Sequence, residues 1–362
     1  MDSVALWFEE ENEHVERITR RILRDRSDIL SLNDQSFIQN FRLNKDAFMY
    51  VLNAIQHDLI VPKRSTAIPT AIKVAAALKL LGQGGYQHQI GQDHLLGLSQ
   101  QSMSRCLQEV CMVIERILCP KHIKFEVTAE EENEIKRGFL HTCGIPGVIG
   151  AVDGTHIQMI RPARNEHLYF NRKLKHSMNA MVICDHKMII RFIDCRYGGA
   201  SHDSHVWAPS NAKQKLKERF ERGEKGFWLI GDSGYPLEPW LLTPYRNATE
   251  NSSEAFYNKQ FCKGRSIIER VFGVLKGRFR CLLAARELHY APERVVQIMN
   301  VCCALHNICS NFNVQLPIHE IAETESLNEI DMSLNSNTNN DGQTTIAKEI
   351  RNNIRNSLIL RT

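Results

Sequence analysis

Hydrophobic and polar positions along the chain follow two regimes. Up to about residue 140 the apolar residues recur every three or four positions, as in Phe41, Leu43, Phe48, Val51, Leu52 and Ile55, the period of helices that bury one face. Pro62 to Pro69 interrupts the pattern, and a compact helix, AIKVAAALKLLG, follows from Thr70 as candidate N-cap and ends at glycines. In GQDHLLGLSQQSMSRCLQEVCMVIERIL, Leu95 and Leu96 close one helix, Gly97 turns the chain, and Ser99 caps a second helix. The charge-rich stretch Phe125 to Leu140 reads as a connector, with a domain boundary near His141.

Beyond that boundary the apolar residues form unbroken runs, which suit strands covered on both faces. The runs are Val148 to Ile160, Ser177 to Cys184 and Met188 to Cys195, the last two joined as a hairpin around Asp185-His186-Lys187. A helix capped by Asp203 or Ser204 then extends to about Arg222, and Phe227 to Ile230 and Leu241 to Thr243 read as short strands. Helices from Glu254 through Glu269 and from about Pro292 to Phe312 complete the pattern. The expected class is α/β: a mixed sheet flanked by helices, preceded by an all-α part. The expected divisions are a charged leader (1–34), a helical domain (35–140), a sheet domain (141–313) and an acidic and polar, largely disordered tail (314–362).

Two of the apolar runs stop abruptly on an acid. GVIGAVDG ends on Asp153, followed by Gly154, which lets the backbone turn so that another group can approach the acid, and FWLIGDSG ends on Asp232 between Gly231 and Ser233-Gly234. An isolated aspartate there is ordinarily the first residue of a turn, but a third acid changes the weighting. In SIIERVFGVLKGRF, Ile267, Ile268, Val271, Val274, Leu275 and Phe279 share one side of a helix, while Arg265, Glu269, Lys276 and Arg280 share the other. Two strand-end aspartates and a helical glutamate, brought together by a fold, form an oxygen-only set suited to Mg²⁺ or Mn²⁺.

Composition narrows the choices. The net charge of +4 is small, but His319 to Thr345 is acidic, Asn/Ser-rich and free of aromatics, so a disordered tail is expected there. Setting it aside leaves positive charge dense between Lys263 and Arg286, which suits either a polyanion or a solvated helix face. Lys276 and Arg280 are thus candidates for contacting a DNA backbone. The acidic N-terminus lacks a secretory pattern and no apolar run reaches membrane-spanning length, so an intracellular protein without a membrane role is expected. The 11 cysteines form no CxxC pair and read as reduced and mostly buried. Cys302, His306 and Cys309 can share a helix face, yet one helix cannot surround a zinc ion.

The helix after Ser99 exposes Gln100, Gln101, Ser104 and Arg105 in its first turns. Gln pairs with adenine edges and Arg with guanine or phosphate, so over about residues 88–118 a DNA-reading helix-turn-helix stands against the alternative of an ordinary helical hairpin.

The chain resembles the harbinger transposase-derived nucleases, relatives of the PIF/Harbinger transposases. The matching motifs are GAVDGTHI, YFNRKLKHSMNAMVICD, GASHDSHVW, LIGDSGYPLEPWLLTPYR, SIIERVFGVLKGRFRCL and CCALHNIC, in the family's order between Gly147 and Asn313. The resemblance implies a ribonuclease-H-like domain with an Asp-Asp-Glu triad at Asp153, Asp232 and Glu269, and a metal-associated aspartate at Asp203, which by itself reads as a helix N-cap. It implies phosphodiester hydrolysis with divalent cations, two of which would activate water and leaving group. It also implies DNA and a Myb-like nuclear DNA-binding protein as partners, leaves room for a homo-oligomer, and suggests residence in nucleus and cytoplasm, with Lys63-Arg64 a weak basic patch for import. Two competing expectations are an adaptor that keeps the triad without using it and a complete transposase. His156 and His202 read as structural.

Overall fold

The unbroken runs become a sheet because their residues alternate between two apolar layers. The computed structural model describes residues 2–60, 67–315 and 341–360. Its five strands are β1 (Val148–Gln158), β2 (Ser177–Cys184), β3 (Ile190–Gly198), β4 (Trp228–Ile230) and β5 (Leu241–Leu242), in the order β3-β2-β1-β4-β5. β1 lies at the centre, antiparallel to β2 and parallel to β4. Ala151, Val182 and Ile230 face one core, and Val152, Met181, Ile183 and Leu229 face another.

The helices are α1 (Asp2–Arg26), α2 (Asp34–Phe41), α3 (Lys45–Ile55), α4 (Thr70–Gln83), α5 (Gln87–Gly91), α6 (Gln100–Ile117), α7 (Cys119–His122), α8 (Ala129–Cys143), α9 (Asp203–Trp207), α10 (Asn211–Glu221), α11 (Ser253–Arg278), α12 (Pro292–Asn311) and α13 (Asp341–Ile359). Every described element before Val148 is helical. α4 is buried almost throughout, which explains a sequence with no polar face. Its N-cap is Pro69 rather than Thr70. Ser99 caps α6 as expected, its Oγ accepting from the Ser102 amide at 3.3 Å, and Gly97 turns with φ +54°. The preceding helix stops at Gly91, so Leu95 and Leu96 lie in the turn.

Two expectations are corrected. The stretch read as a charged connector is largely α8, because Ile135, Phe139 and Cys143 recur at i, i+4 and i+8 among its charges and pack with α11 and β1. The apolar core therefore runs without a break from the helical half into the sheet, across the boundary expected near His141. The tail from residue 314 is not wholly unstructured either. α13 buries Ala347, Ile354 and Leu358, and the Arg351 guanidinium stacks 4.0 Å from the Tyr245 ring centroid. Tyr245 Oη donates to Asn352 Oδ1 at 2.7 Å. Residues 316–340, most of the expected acidic tail, lie outside the described residues, as does Lys63-Arg64.

α12 shows why CCALHNIC is needed for packing. Cys302, Cys303, His306, Asn307 and Cys309 are all buried. Asn307 Oδ1 accepts from the Ile190 amide and its Nδ2 donates to the Ile190 carbonyl, both at 2.8 Å, so one side chain imitates a neighbouring strand at the outer edge of β3, which α12 covers. A third bond, to the His122 carbonyl, ties the sheet to α7.

Candidate active site

Strand register does the first part of the assembly. β1 and β4 run parallel with Ala151 opposite Ile230, so Asp153 and Asp232, each two residues further on, come level with each other. Asp232 lies just past the end of β4, whereas Asp153 lies in the middle of β1, which continues to Gln158 paired with β2, and is not the strand-end residue expected. Ala151 and Ile230 face the core that contains the α11 residues Ile267, Ile268 and Val271, and the period of two gives Asp153 that same side. Asp203 arrives from the other side, at the start of α9, with His202 as the N-cap residue. Carboxylate oxygens of Asp153, Asp203 and Asp232 all lie within 4.8 Å of one another.

Asp203 can come so close only because residue 154 has no side chain: a Cβ on Gly154 would stand 2.4 Å from Asp203 Oδ1 and 3.1 Å from Asn179 Oδ1. Asn179 holds Asp203 in place, its Nδ2 donating to Asp203 Oδ1 and to the Ser201 carbonyl, both at 3.0 Å. Asn179 Oδ1 is buried with no hydrogen-bond partner among the described residues. Asp153 Oδ1 accepts from the Gly154 amide and Asp232 Oδ1 from the Gly234 amide, both at 2.9 Å.

Glu269 stands at the edge of this group. Arg265, one turn earlier on α11, joins it to the aspartates: its Nη2 donates to Asp153 Oδ2 at 2.8 Å and lies 3.1 Å from Glu269 Oε1. The Glu269 side chain remains 46% exposed. Thus the structure gathers three aspartates, and a guanidinium bridges them to the fourth acid.

The electrostatics are those of crowded like charges. Burial, with repulsion from Asp153 and Asp232, pushes Asp203 up to about 6 even though Asn179 opposes the shift. Burial and Asp153 raise Asp232 as well. Glu269 is raised by burial, against the pull of Arg265. Tyr235 is fully enclosed nearby; burial, then the charges of Asp203, Asp153 and Asp232, raise its phenol well above the usual range. Its hydroxyl has no partner among the described residues. Asn179 and Tyr235 were not singled out from the sequence, while Arg265 was read as a cation on the Glu269 face and Gly154 as a glycine that lets a group approach Asp153; only tertiary contact shows what each of them meets.

The other candidates are distributed as follows. Gln100, Gln101, Ser104 and Arg105 are exposed on the first turns of α6. Lys276 is half-buried, and burial followed by the nearby Lys173 lowers its ammonium to about 8. Arg280 does not share the Glu269 face, because α11 ends at Arg278 and Arg280 starts a 3-10 turn whose backbone abuts Gly84. His202 Nδ1 accepts from Arg172 Nη2 at 2.7 Å, and His156 Nδ1 lies 3.0 Å from Ser177 Oγ. The three members of the considered zinc set are core residues, and His306 hydrogen-bonds the Met188 carbonyl at 3.0 Å.

A mixed sheet carrying convergent aspartates is the setting of a DDE-type domain, and the family model described as DDE superfamily endonuclease matches residues 152–307. The human protein named "Putative nuclease HARBI1" is 33% identical over 288 residues, covering 78% of this chain and 80% of its own length. The Xenopus laevis protein of the same name is 30% identical over 296 residues, covering 81% and 83%. "Protein ALP1-like" of Arabidopsis thaliana is 28% identical over 303 residues, covering 77% and 71%. The chain belongs to the Harbinger transposase-derived nuclease family. No solved structure shows a significant match.

Proposed function

We propose that this protein is a divalent-metal-dependent DNA endonuclease of the DDE type, on a ribonuclease-H-like fold, without autonomous transposase activity. The observation that carries the reading is the convergence of Asp153, Asp203 and Asp232, with carboxylate oxygens within 4.8 Å of one another, in a member of this family.

The donor chemistry fits hard divalent cations. All the candidate ligands are carboxylate oxygens, and two of the three aspartates are raised by burial and mutual repulsion, which a bound cation would relieve. In this reading Asp153, Asp203, Asp232 and Glu269 would hold Mg²⁺ or Mn²⁺, with Asp153 the candidate for a ligand common to two ions. When bound, such ions lower the pKa of a water and stabilise the departing oxygen of a phosphodiester. The chain's own contribution is positioning. Asn179 and the Gly154 and Gly234 amides fix the aspartates, and Arg265 holds Glu269 beside Asp153. Lys276, which makes no ion pair among the described residues and has the like-charged Lys173 nearby, is suited to a phosphate.

Residues 35–140 are read as the DNA-recognition part, with Gln100, Gln101, Ser104 and Arg105 of the helix-turn-helix directed at bases or phosphates. Residues 141–313 are read as the cleaving part, preceded by a leader (1–34). A Myb-like DNA-binding partner, self-association, and residence in both nucleus and cytoplasm belong to the same reading.

The test is cleavage of linear, nicked and hairpin DNA by the purified chain. Activity should require Mg²⁺ or Mn²⁺ and vanish in Asp153→Ala and Glu269→Ala, with folding retained. Metal-independent cleavage, or undiminished activity in Asp153→Ala, would refute it.

A further inference from the structure

The loop between β1 and β2 carries a feature that the carboxylate site does not use. Residues Arg172, Lys173, Leu174 and Lys175 form the tip of a short hairpin closed by the Phe170–His176 bridge. Leu174 is 74% exposed and has φ +58°, a left-handed conformation that costs a branched side chain backbone energy and here buries little apolar surface in return. Such strain persists only where surrounding bonds impose it. Asn171 supplies them. Its buried Oδ1 accepts from the Lys173 and Lys175 amides at 2.9 and 3.1 Å, while its Nδ2 donates to Ser177 Oγ at 2.8 Å. The Leu174 amide in turn donates to the Asn171 carbonyl at 3.0 Å.

The tip is therefore a rigid projection with one apolar side chain at its summit and exposed cations on both sides. It stands beside the carboxylates, because Arg172 bonds to His202, the residue before Asp203. Lys173 is also close enough to influence the Lys276 ammonium on α11. Lys173 makes no ion pair among the described residues, and Lys175 only a long one of 3.5 Å with Glu287. Cations flanking an exposed apolar wedge match duplex DNA, whose phosphates take the charges while the wedge enters between base pairs and unstacks one step.

The geometry points to Leu174 as a wedge that opens a base step of duplex DNA next to the carboxylate site. This rests on the DNA reading above, but not on cleavage. The test is competition binding of the full chain, in Ca²⁺, to a perfect duplex and to the same duplex carrying one mismatch, which is already partly unstacked. The wild type should prefer the mismatched duplex by about five- to tenfold. Leu174→Asn should bring the preference close to one while keeping the melting temperature, since asparagine tolerates positive φ. Lys173→Ala should weaken binding to both duplexes and leave the preference intact. Equal affinity of the wild type for the two duplexes, a preference that survives Leu174→Asn, or no DNA binding at all overturns the inference. A mismatch preference lost in Leu174→Asn, together with no cleavage under any metal condition, supports the wedge and rejects the nuclease.

Discussion

A β-carbon on Gly154 would come within 2.4 Å of Asp203 Oδ1, so the close approach of Asp203 to Asp153 depends on the absence of a side chain between them. Gly154→Ala should push Asp203 and its partner Asn179 outward, at a cost of about 1–3 kcal/mol from overpacking. Calorimetric titration with Mn²⁺ should show binding to the wild type and none, or much weaker binding, to the variant. Equal binding would mean that Asp203 is not a ligand.

Asp203 itself should be a stability liability in metal-free protein. Its folded-state pKa of about 6 exceeds the usual value of 3.8, so the folded form holds the proton more tightly. Stability from this group is present below the unfolded value and is lost as pH rises through about 6. Asp203→Asn, which keeps an oxygen acceptor for Asn179, should stabilise the metal-free chain at pH 7 by about 1–2 kcal/mol, allowing for partial solvent screening. Urea denaturation at pH 7 and pH 4 measures the gain, which should shrink at the lower pH.

Arg265 is the cation within reach of Asp153 and Glu269. Arg265→Gln should lower metal-free stability by about 2–4 kcal/mol, because it leaves partly buried carboxylates uncompensated. Millimolar Mn²⁺ should restore part of the loss in a thermal melt. A variant as stable as the wild type would reduce the pair to a surface contact.

His306 gives a pH response remote from the site. Burial, then the charge of Arg278, lowers its imidazole to about 3 from the usual 6.5. The unfolded chain therefore takes up a proton that the folded chain refuses. The stabilisation is complete above pH 6.5 and erodes as pH falls toward 3, by about 2 kcal/mol at pH 5. His306→Gln should flatten the stability profile between pH 7 and 5, and an unchanged slope there would exclude His306 as its source.

The strands, most of the helices and the acids that close the apolar runs were legible in the chain, because periodicity and glycine punctuation are local properties. It also carried the family, in motifs from Gly147 to Asn313. α8 and α13 were misread because charged and polar residues dilute their apolar stripes, whose meaning appears only when β1, α11 and the Tyr245 loop are packed against them. The site divides in the same way. Tertiary structure alone decided that Asp153 and Asp232 are level, through the register of β1 against β4, and that Asp203 joins them across Gly154. It also decided that Arg265 stands between Asp153 and Glu269. Register, close approach and charge pairing are relations between residues distant in the chain, and no local pattern encodes the space left where a side chain is missing.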